Sequence, residues 1–397
     1  MKSFTKRIAA SALFALAATL AFQPIRALAQ DKVGPDTLTF TNGDQLHGTL
    51  VSGTGDSVVF KSDAMGDLTI PMAKIKELRS HNAFVVLPKE VPDHPGPVPT
   101  GNLAFGDGKV AVESSSSSAL IDVPPAQVGY VVDQAEYQKA LHAHPGFLHG
   151  WSGAVSGGAS VVQSTQYGQT YNVGVGLVRS IPVAPYLRVR NRTLFDLSET
   201  YGKLSQKTIP QTIPATPDTT VKTNIFHAGA EHDVYLTKKL YVLGAVAFDH
   251  NFSQGMALQQ IYGGGVGYTV FSTPVHQLDL KATIQYEKQH YIDPVQPLPP
   301  LPQIAPTPDQ NLIGSTFGEN YRRILPYKVA LTQFLTLIPS WNNTNAYSAN
   351  AGVALALPVY KRLAVNLSLL DNFINNPANG FQKNSFQFIT GVSYTVK

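Results

Sequence analysis

The chain has 397 residues, no cysteine, and only 14% charged residues, against roughly 25% in soluble domains. Without cysteine there is neither a disulfide framework nor a thiolate metal site. The formal charge of +4 includes Lys2, Lys6, Arg7 and Arg26 in the first 29 residues, which hold no acid, so the remainder is neutral and gives no reason to expect nucleic acid.

Lys2, Lys6 and Arg7 precede an apolar run from Ile8 to Phe22, and Ala27-Leu28-Ala29 supplies a small-residue cleavage site. This predicts a secretory signal peptide over 1–29, cut between Ala29 and Gln30. Ser11, Thr19 and Gln23 leave the run too broken for a stable span. No later apolar stretch approaches the roughly 18 residues a helical span needs.

Residues 30–84 read as a β-rich module. Short alternating runs such as Leu38-Thr39-Phe40 and Val58-Val59-Phe60 are separated by Asn42-Gly43-Asp44, Gly53-Thr54-Gly55-Asp56 and Met65-Gly66-Asp67, all hairpin chemistries. The result expected is a small twisted sheet or an SH3-sized barrel of four or five short strands. Its Ile70-Pro71-Met72-Ala73-Lys74-Ile75 returns as Val123-Pro124-Pro125-Ala126-Gln127-Val128, so 100–132 reads as a degenerate second copy. Proline-rich 85–99 reads as a linker, and Ser114–Ser118 as a hairpin tip. Asp133 and Glu136 have capping-box spacing for a short linking helix over 133–145, stopped by Pro145-Gly146.

From residue 146 the period changes character. Val353, Leu355 and Leu357 alternate with Ala354 and Ala356; Leu363, Val365, Leu367 and Leu369 with Ala364, Asn366 and Ser368; Phe386, Phe388, Thr390 and Val392 with Ser385, Gln387 and Gly391. Strict alternation over about 10 residues or more is the pattern of transmembrane β-strands. Strands are expected near 150–163, 169–180, 186–198, 222–236, 239–252, 257–271, 276–290, 312–324, 328–339, 345–357, 361–373 and 384–396, roughly twelve in all. Even-numbered connections come out short (Pro182–Pro185, Thr237-Lys238, Pro326-Tyr327) and most odd ones long (Glu199–Val221, Tyr291–Asn311), as in barrels with periplasmic turns and outer loops. Seven prolines between Asp293 and Pro308 exclude a strand there, and its Val295, Leu298, Leu301 and Ile304 suit a cap on the outer rim.

The His149-Gly150-Trp151-Ser152-Gly153 start, the Thr223-Asn224 to His232-Asp233-Val234-Tyr235-Leu236 strand and Gly263-Gly264-Gly265-Val266-Gly267-Tyr268 resemble the YdiY-like salt-induced outer-membrane proteins. The Asn42-Gly43-Asp44 module resembles the leader domain often fused to that family of uncharacterised barrels. The resemblance implies a barrel and carries over no catalytic residues, since the family assigns none. It departs at the C-terminus, where Tyr394-Thr395-Val396-Lys397 stands in place of a terminal aromatic.

Catalytic chemistry is thin. His250 and Ser253 lie three apart, hence on opposite faces of a strand, which disfavours a lipase-like pair. His142, His144 and His149 straddle a helix end with no carboxylate at ligand spacing, so no metal or other cofactor is expected. The lumen is richer. Arg188, Arg190 and Arg192 share one face of the expected third strand; His227, Glu231 and Asp233 one face of the fourth; Asp279, Lys281, Gln285 and Glu287 one face of the seventh. Charge on the lipid face costs up to about 2–4 kcal/mol, so these sets should point inward.

The sequence therefore predicts an all-β protein: a signal peptide, a periplasmic β module, a short helix and a roughly 12-stranded outer-membrane barrel over 146–397, its lumen braced by arginine–carboxylate pairs. The function expected is structural or in envelope stress, with membrane lipid, the barrel-assembly machinery and a periplasmic partner of the module as contacts. The alternatives are a narrow channel for small polar solutes and a secreted soluble β-sandwich.

Overall fold

The computed structural model describes residues 35–89, 98–106, 108–114, 120–163, 166–206, 219–294, 296 and 301–396. The signal-peptide expectation, most of the linker and the Ser115–Ser118 tip lie outside the described residues. The described residues form two compact units, one within 35–134 and one within 135–396.

The first unit holds β1 (Asp36–Phe40), β2 (Gln45–Gly53), β3 (Ser57–Ser62), β4 (Gly66–Pro71), β5 (Ile75–Pro88), β6 (Thr100–Gly106), β7 (Lys109–Ser114), β8 (Leu120–Val123) and β9 (Val128–Asp133). β1, β2, β9 and β5 pair in a closed ring of four, with β3–β4 and β6–β7–β8 as arms. The repeated sequence is a repeated structure. Pro71 and Pro124, at φ near −60° and ψ near 135°, each lead into a 3-10 turn closed by the N–H of Ile75 or Val128. Ladder pairing repeats too: β1 with β2 and the start of β5 matches the end of β5 with β6 and β9.

The two copies are not separate modules joined by a linker over 85–99. β5 runs to Pro88 and serves both, and one core takes Leu38, Phe60 and Leu78 from the first copy with Leu103, Val112 and Val131 from the second. A five-strand copy leaves an apolar face uncovered, and the second copy covers it. Gly55 marks the contact, since a Cβ there would stand 2.3 Å from the carbonyl of Pro125. Asp133 ends β9, and the helix, α1, covers Gln134–Leu141, shorter than the expected 133–145.

The second unit is a closed barrel of twelve antiparallel strands: β10 (Trp151–Gln163), β11 (Gln166–Ile181), β12 (Asn191–Gln206), β13 (Thr219–Tyr235), β14 (Leu240–Asn251), β15 (Met256–Ser272), β16 (His276–Tyr291), β17 (Gln310–Ile324), β18 (Ala330–Ile338), β19 (Ser348–Tyr360), β20 (Leu363–Ile374) and β21 (Asn384–Val396). β21 closes on β10, Gly153 opposite Val396 and Gly157 opposite Val392. Burial is inverted relative to the first unit. Val365, Leu367, Phe386 and Phe388 stand outward and exposed, while Asp233, Gln285, Glu287 and Ser393 are buried.

The expected third strand, 186–198, is displaced. Strand geometry resumes only at Asn191, after a loop of 182–190, and runs on to Gln206. Pro182 and Pro185 donate no backbone hydrogen bond, which widens this connection beyond the short turn expected. Of the outer loop expected over 199–221, residues 199–206 and 219–221 are instead strand, and 207–218 lie outside the described residues. In the proline-rich segment, Gln296 is bonded in both directions to the backbone of Ile304, and Asn379 of the β20–β21 loop binds Thr307 and the carbonyl of Ala305. Leu301 stays exposed.

Candidate functional site

The interior of the barrel concentrates its charge on β12 to β16. Arg192, the second residue of β12, donates from Nε to Asp233 on β13 at 2.7 Å and from Nη1 to Asp279 on β16 at 3.2 Å. β12 and β16 are four strands apart, so this guanidinium spans a chord of the lumen. The rings of Tyr235 and Tyr241 lie 5.6 and 5.1 Å from its carbon, a cation–π enclosure for an almost fully buried cation. Thr269 and Gln277 donate to Asp279, which completes the partners of that carboxylate.

Further along the same wall, Lys281 on β16 reaches Glu231 on β13 at 2.5 Å. His227 sits between Asp196 of β12 and Asp249 of β14, at 2.5 and 2.6 Å. Glu287 accepts from Gln259 and Gln289, and Thr316 donates to Gln285. Buried charges persist only when paired. Each of these carboxylates has a donor, although Asp233 accepts through Oδ2 alone and its buried Oδ1 has no hydrogen-bond partner. The other wall is different. Asn366 faces inward beside Gly391 and takes a bond from Ser393 at 3.0 Å, and Ser393 registers with Ser156.

Arg192, His227, Glu231, Asp233, Asp279, Lys281 and Glu287 are thus gathered in the lumen. Arg188 and Arg190 are not part of the β12 face, because both precede the strand. Asp196 and Asp249 escaped the sequence reading because their partner His227 is on a neighbouring strand, and only register reveals that pairing. Alternation within β12 does place Asp196 on the face of Arg192, which is the one local signal available. His250 and Ser253 go separate ways: the imidazole meets the carbonyl of Ala257, and the hydroxyl meets Asn251 and Ser385. His142 bonds the carbonyl of Gln138. Among the described residues no group of three or more His, Cys, Asp or Glu side chains is placed to hold a metal ion.

One end of the lumen is crossed by a turn. Residues Phe252–Gln254 form a 3-10 turn between β14 and β15, capped by Asn251 and released by Gly255 at φ +71°. Gln254 is wholly buried, and its amide donates to the carbonyls of Asn372 at 2.9 Å and Lys383 at 2.8 Å. Those carbonyls belong to β20 and the loop before β21, six strands away around a ring of twelve, so the contact bridges the mouth. Met256, Tyr291, Ile374, Ala378 and Phe381 pack beneath it. A Cβ on Gly255 would come within 2.4 Å of Ala378, so the approach requires glycine twice over, for its φ and for its size.

The model of the family described as "Protein of unknown function, DUF481" matches residues 190–396. Among solved structures, the translocator domain of the autotransporter NalP from Neisseria meningitidis is similar at 11% identity and a TM-score of 0.33, over 66% of this chain and 94% of that one. An outer membrane channel from Pseudomonas putida F1 is similar at 10% identity and a TM-score of 0.33, over 64% of this chain and 100% of that one. The transport unit of the autotransporter AIDA-I from Escherichia coli gives 12% identity and a TM-score of 0.28, over 66% and 97%. No curated protein matches the chain.

Proposed function

The chain belongs to the DUF481 family, whose members are described as proteins of unknown function, and on that premise we propose that it is a non-enzymatic outer-membrane barrel with a closed, braced lumen. The observation that carries the reading is the burial of Gln254 on the opposite wall, because a conducting pore needs that mouth open. The Arg192–Asp233–Asp279 and Lys281–Glu231 pairs support it from within, since each takes up charge a permeating solute would meet. An outward face of Val365, Leu367, Phe386 and Phe388 would be an association hazard in water and suits hydrocarbon. The role is structural or in the envelope-stress response of a YdiY-like protein, with the first unit in the periplasm and the barrel delivered by the assembly machinery.

Planar-bilayer recording of the refolded full chain tests this. The expected trace has no discrete openings. Stable unitary openings would replace the braced scaffold with a narrow channel for small polar solutes.

A further inference from the structure

Just before β10 the chain makes a hook that the barrel wall does not require. Residues 145–150 leave the barrel's first strand as a tight turn, His149 N–H to the Gly146 carbonyl at 2.9 Å, with Gly150 at φ +85°. Phe147 and Leu148 stand at its tip, 71% and 85% exposed, the least covered pair of adjacent large apolar residues among those described. In water such a tip gains nothing from rigidity. Yet it is held firmly. Arg179 of β11 donates from Nε to the His149 carbonyl at 2.8 Å and from Nη2 to the carbonyls of Pro145 at 2.9 Å and Gly146 at 3.1 Å. Its guanidinium also lies 5.9 Å from the Phe147 ring. Trp151 donates to the Phe147 carbonyl at 2.8 Å and meets the Phe147 ring edge-on at 5.8 Å.

The direction of the hook follows from register. Trp151 is opposite Arg179, and alternation puts both on the face that carries Val155, Tyr171 and Val173, the exposed outer face of the barrel. Exposed Val183 lies beside Gly150, where an added Cβ would stand 2.9 Å from it. The hook therefore continues the outward apolar band past the end of the strands. Tryptophan and arginine at that level are the residues that favour the boundary between headgroups and hydrocarbon.

We propose that Phe147 and Leu148 form a membrane-inserting hook, positioned by Arg179, which enters the interfacial layer of the lipid bilayer beside the barrel. This rests on the membrane reading above. The occupant is lipid rather than protein because the tip shares one continuous face with residues that reading places against lipid. Arg179 acts as a positioning residue: its three bonds to carbonyls fix the turn, and the bilayer is met by its neighbours.

The absence of cysteine allows single labels to be placed without a background. Leu148→Cys, Leu367→Cys and Asp44→Cys are each labelled with an NBD fluorophore in the full chain. Each is reconstituted in vesicles of phosphatidylethanolamine and phosphatidylglycerol. Leu148→Cys should show the blue-shifted emission of Leu367→Cys and not the water-like emission of Asp44→Cys. It should also be quenched more by a nitroxide shallow in the acyl chain than by a deep one. Adding Arg179→Ala should abolish most of the shift at 148 and leave that at 367 intact. Water-like emission at 148 with a normal signal at 367 overturns the hook and leaves the barrel standing. Water-like emission at both overturns the membrane reading and the hook with it. An unchanged signal at 148 in the Arg179→Ala chain overturns the positioning role.

Discussion

The two units use the same period-two alternation with opposite signs. In the first, Leu38, Phe60, Leu78 and Phe84 are turned into a common core and are fully buried. In the second, Phe386 and Phe388 occupy equivalent alternating positions and are 64% and 63% exposed, while Asp233 on the inner face is fully buried. Alternation alone sets only that the two faces of a strand differ. What decides the sign is how many strands close the ring. Four strands with arms fold onto apolar side chains and leave no interior. Twelve enclose a lumen that apolar side chains would have to fill, and here polar groups bridge it. The difference teaches that burial and hydrophobicity are separable: the barrel buries polar groups and exposes apolar ones.

The sharpest way to test the first half of that contrast is Phe84→Ala. A fully buried phenylalanine removed from a packed core costs about 3–5 kcal/mol, a large part of the stability of a unit this size. Both tryptophans, Trp151 and Trp341, fall in the barrel unit, so their fluorescence reports the barrel alone. Limited proteolysis should cut residues 35–133 of the variant readily while the tryptophan signal holds. Parallel loss of both would mean the two units do not fold independently.

The second half is tested by Arg192→Met, which leaves Asp233 and Asp279 as neighbouring buried carboxylates without a cation. Breaking a buried pair from one side costs about 3–5 kcal/mol, whereas removing all the charges costs little. Urea denaturation in micelles should show a large drop for Arg192→Met and substantial recovery when Asp233→Asn and Asp279→Asn are added. If the single change is silent, the polar interior is decoration and does not brace the wall.

Much of this is legible in the sequence, for reasons specific to each element. β20 and β21 are legible to within two residues because most inward residues are small or polar and most outward ones large and apolar, leaving a single acceptable register. The start of β12 is not legible because Leu187, Arg188, Val189 and Arg190 imitate alternation in a segment that the two prolines hold out of the ladder. The fused core of the first unit was hidden for a different reason: the sequence repeat is visible, but the shared use of β5 depends on pairings far apart in the chain. In the lumen, the residue types could be read and their partners could not. Gln254 gave no signal at all, since a glutamine in a four-residue turn is unremarkable until the opposite wall is placed.

A finer test of sign compares adjacent positions on β20. Leu367 points outward, and Asn366 points inward with its carbonyl accepting from Ser393. Leu367→Arg or Val365→Arg should lower the yield of heat-resistant folded barrel, with a contrast to Asn366→Arg of about 2–4 kcal/mol near the midplane. Equal yields for the three would mean that the outer face does not meet hydrocarbon.

The smallest expected effect concerns the bridge across the mouth, where the barrel borrows the logic of the first unit and buries a side chain at a contact between opposite walls. Gln254→Ala removes two hydrogen bonds to carbonyls and leaves those acceptors buried, at a cost of about 1–3 kcal/mol. The strands on either side keep their ladders, so global stability should fall by no more than that. The local consequence is larger. Without the Gln254 amide, the 375–383 loop keeps the bond from the Ala378 N–H to the Gln254 carbonyl at 3.4 Å and its ties to Tyr291 through the carbonyl of Asn376 and to 305–307 through Asn379. The 252–255 turn, however, loses its side-chain bonds to Asn372 and Lys383. Amide hydrogen exchange should therefore quicken in 252–256 and 375–383 and stay unchanged in β16 and β20. In planar bilayers, the same variant should raise the frequency of brief conductance events if the turn is what closes the mouth. Unaltered exchange in both loops would show that the packing of Met256, Tyr291 and Phe381 holds the bridge without its hydrogen bonds.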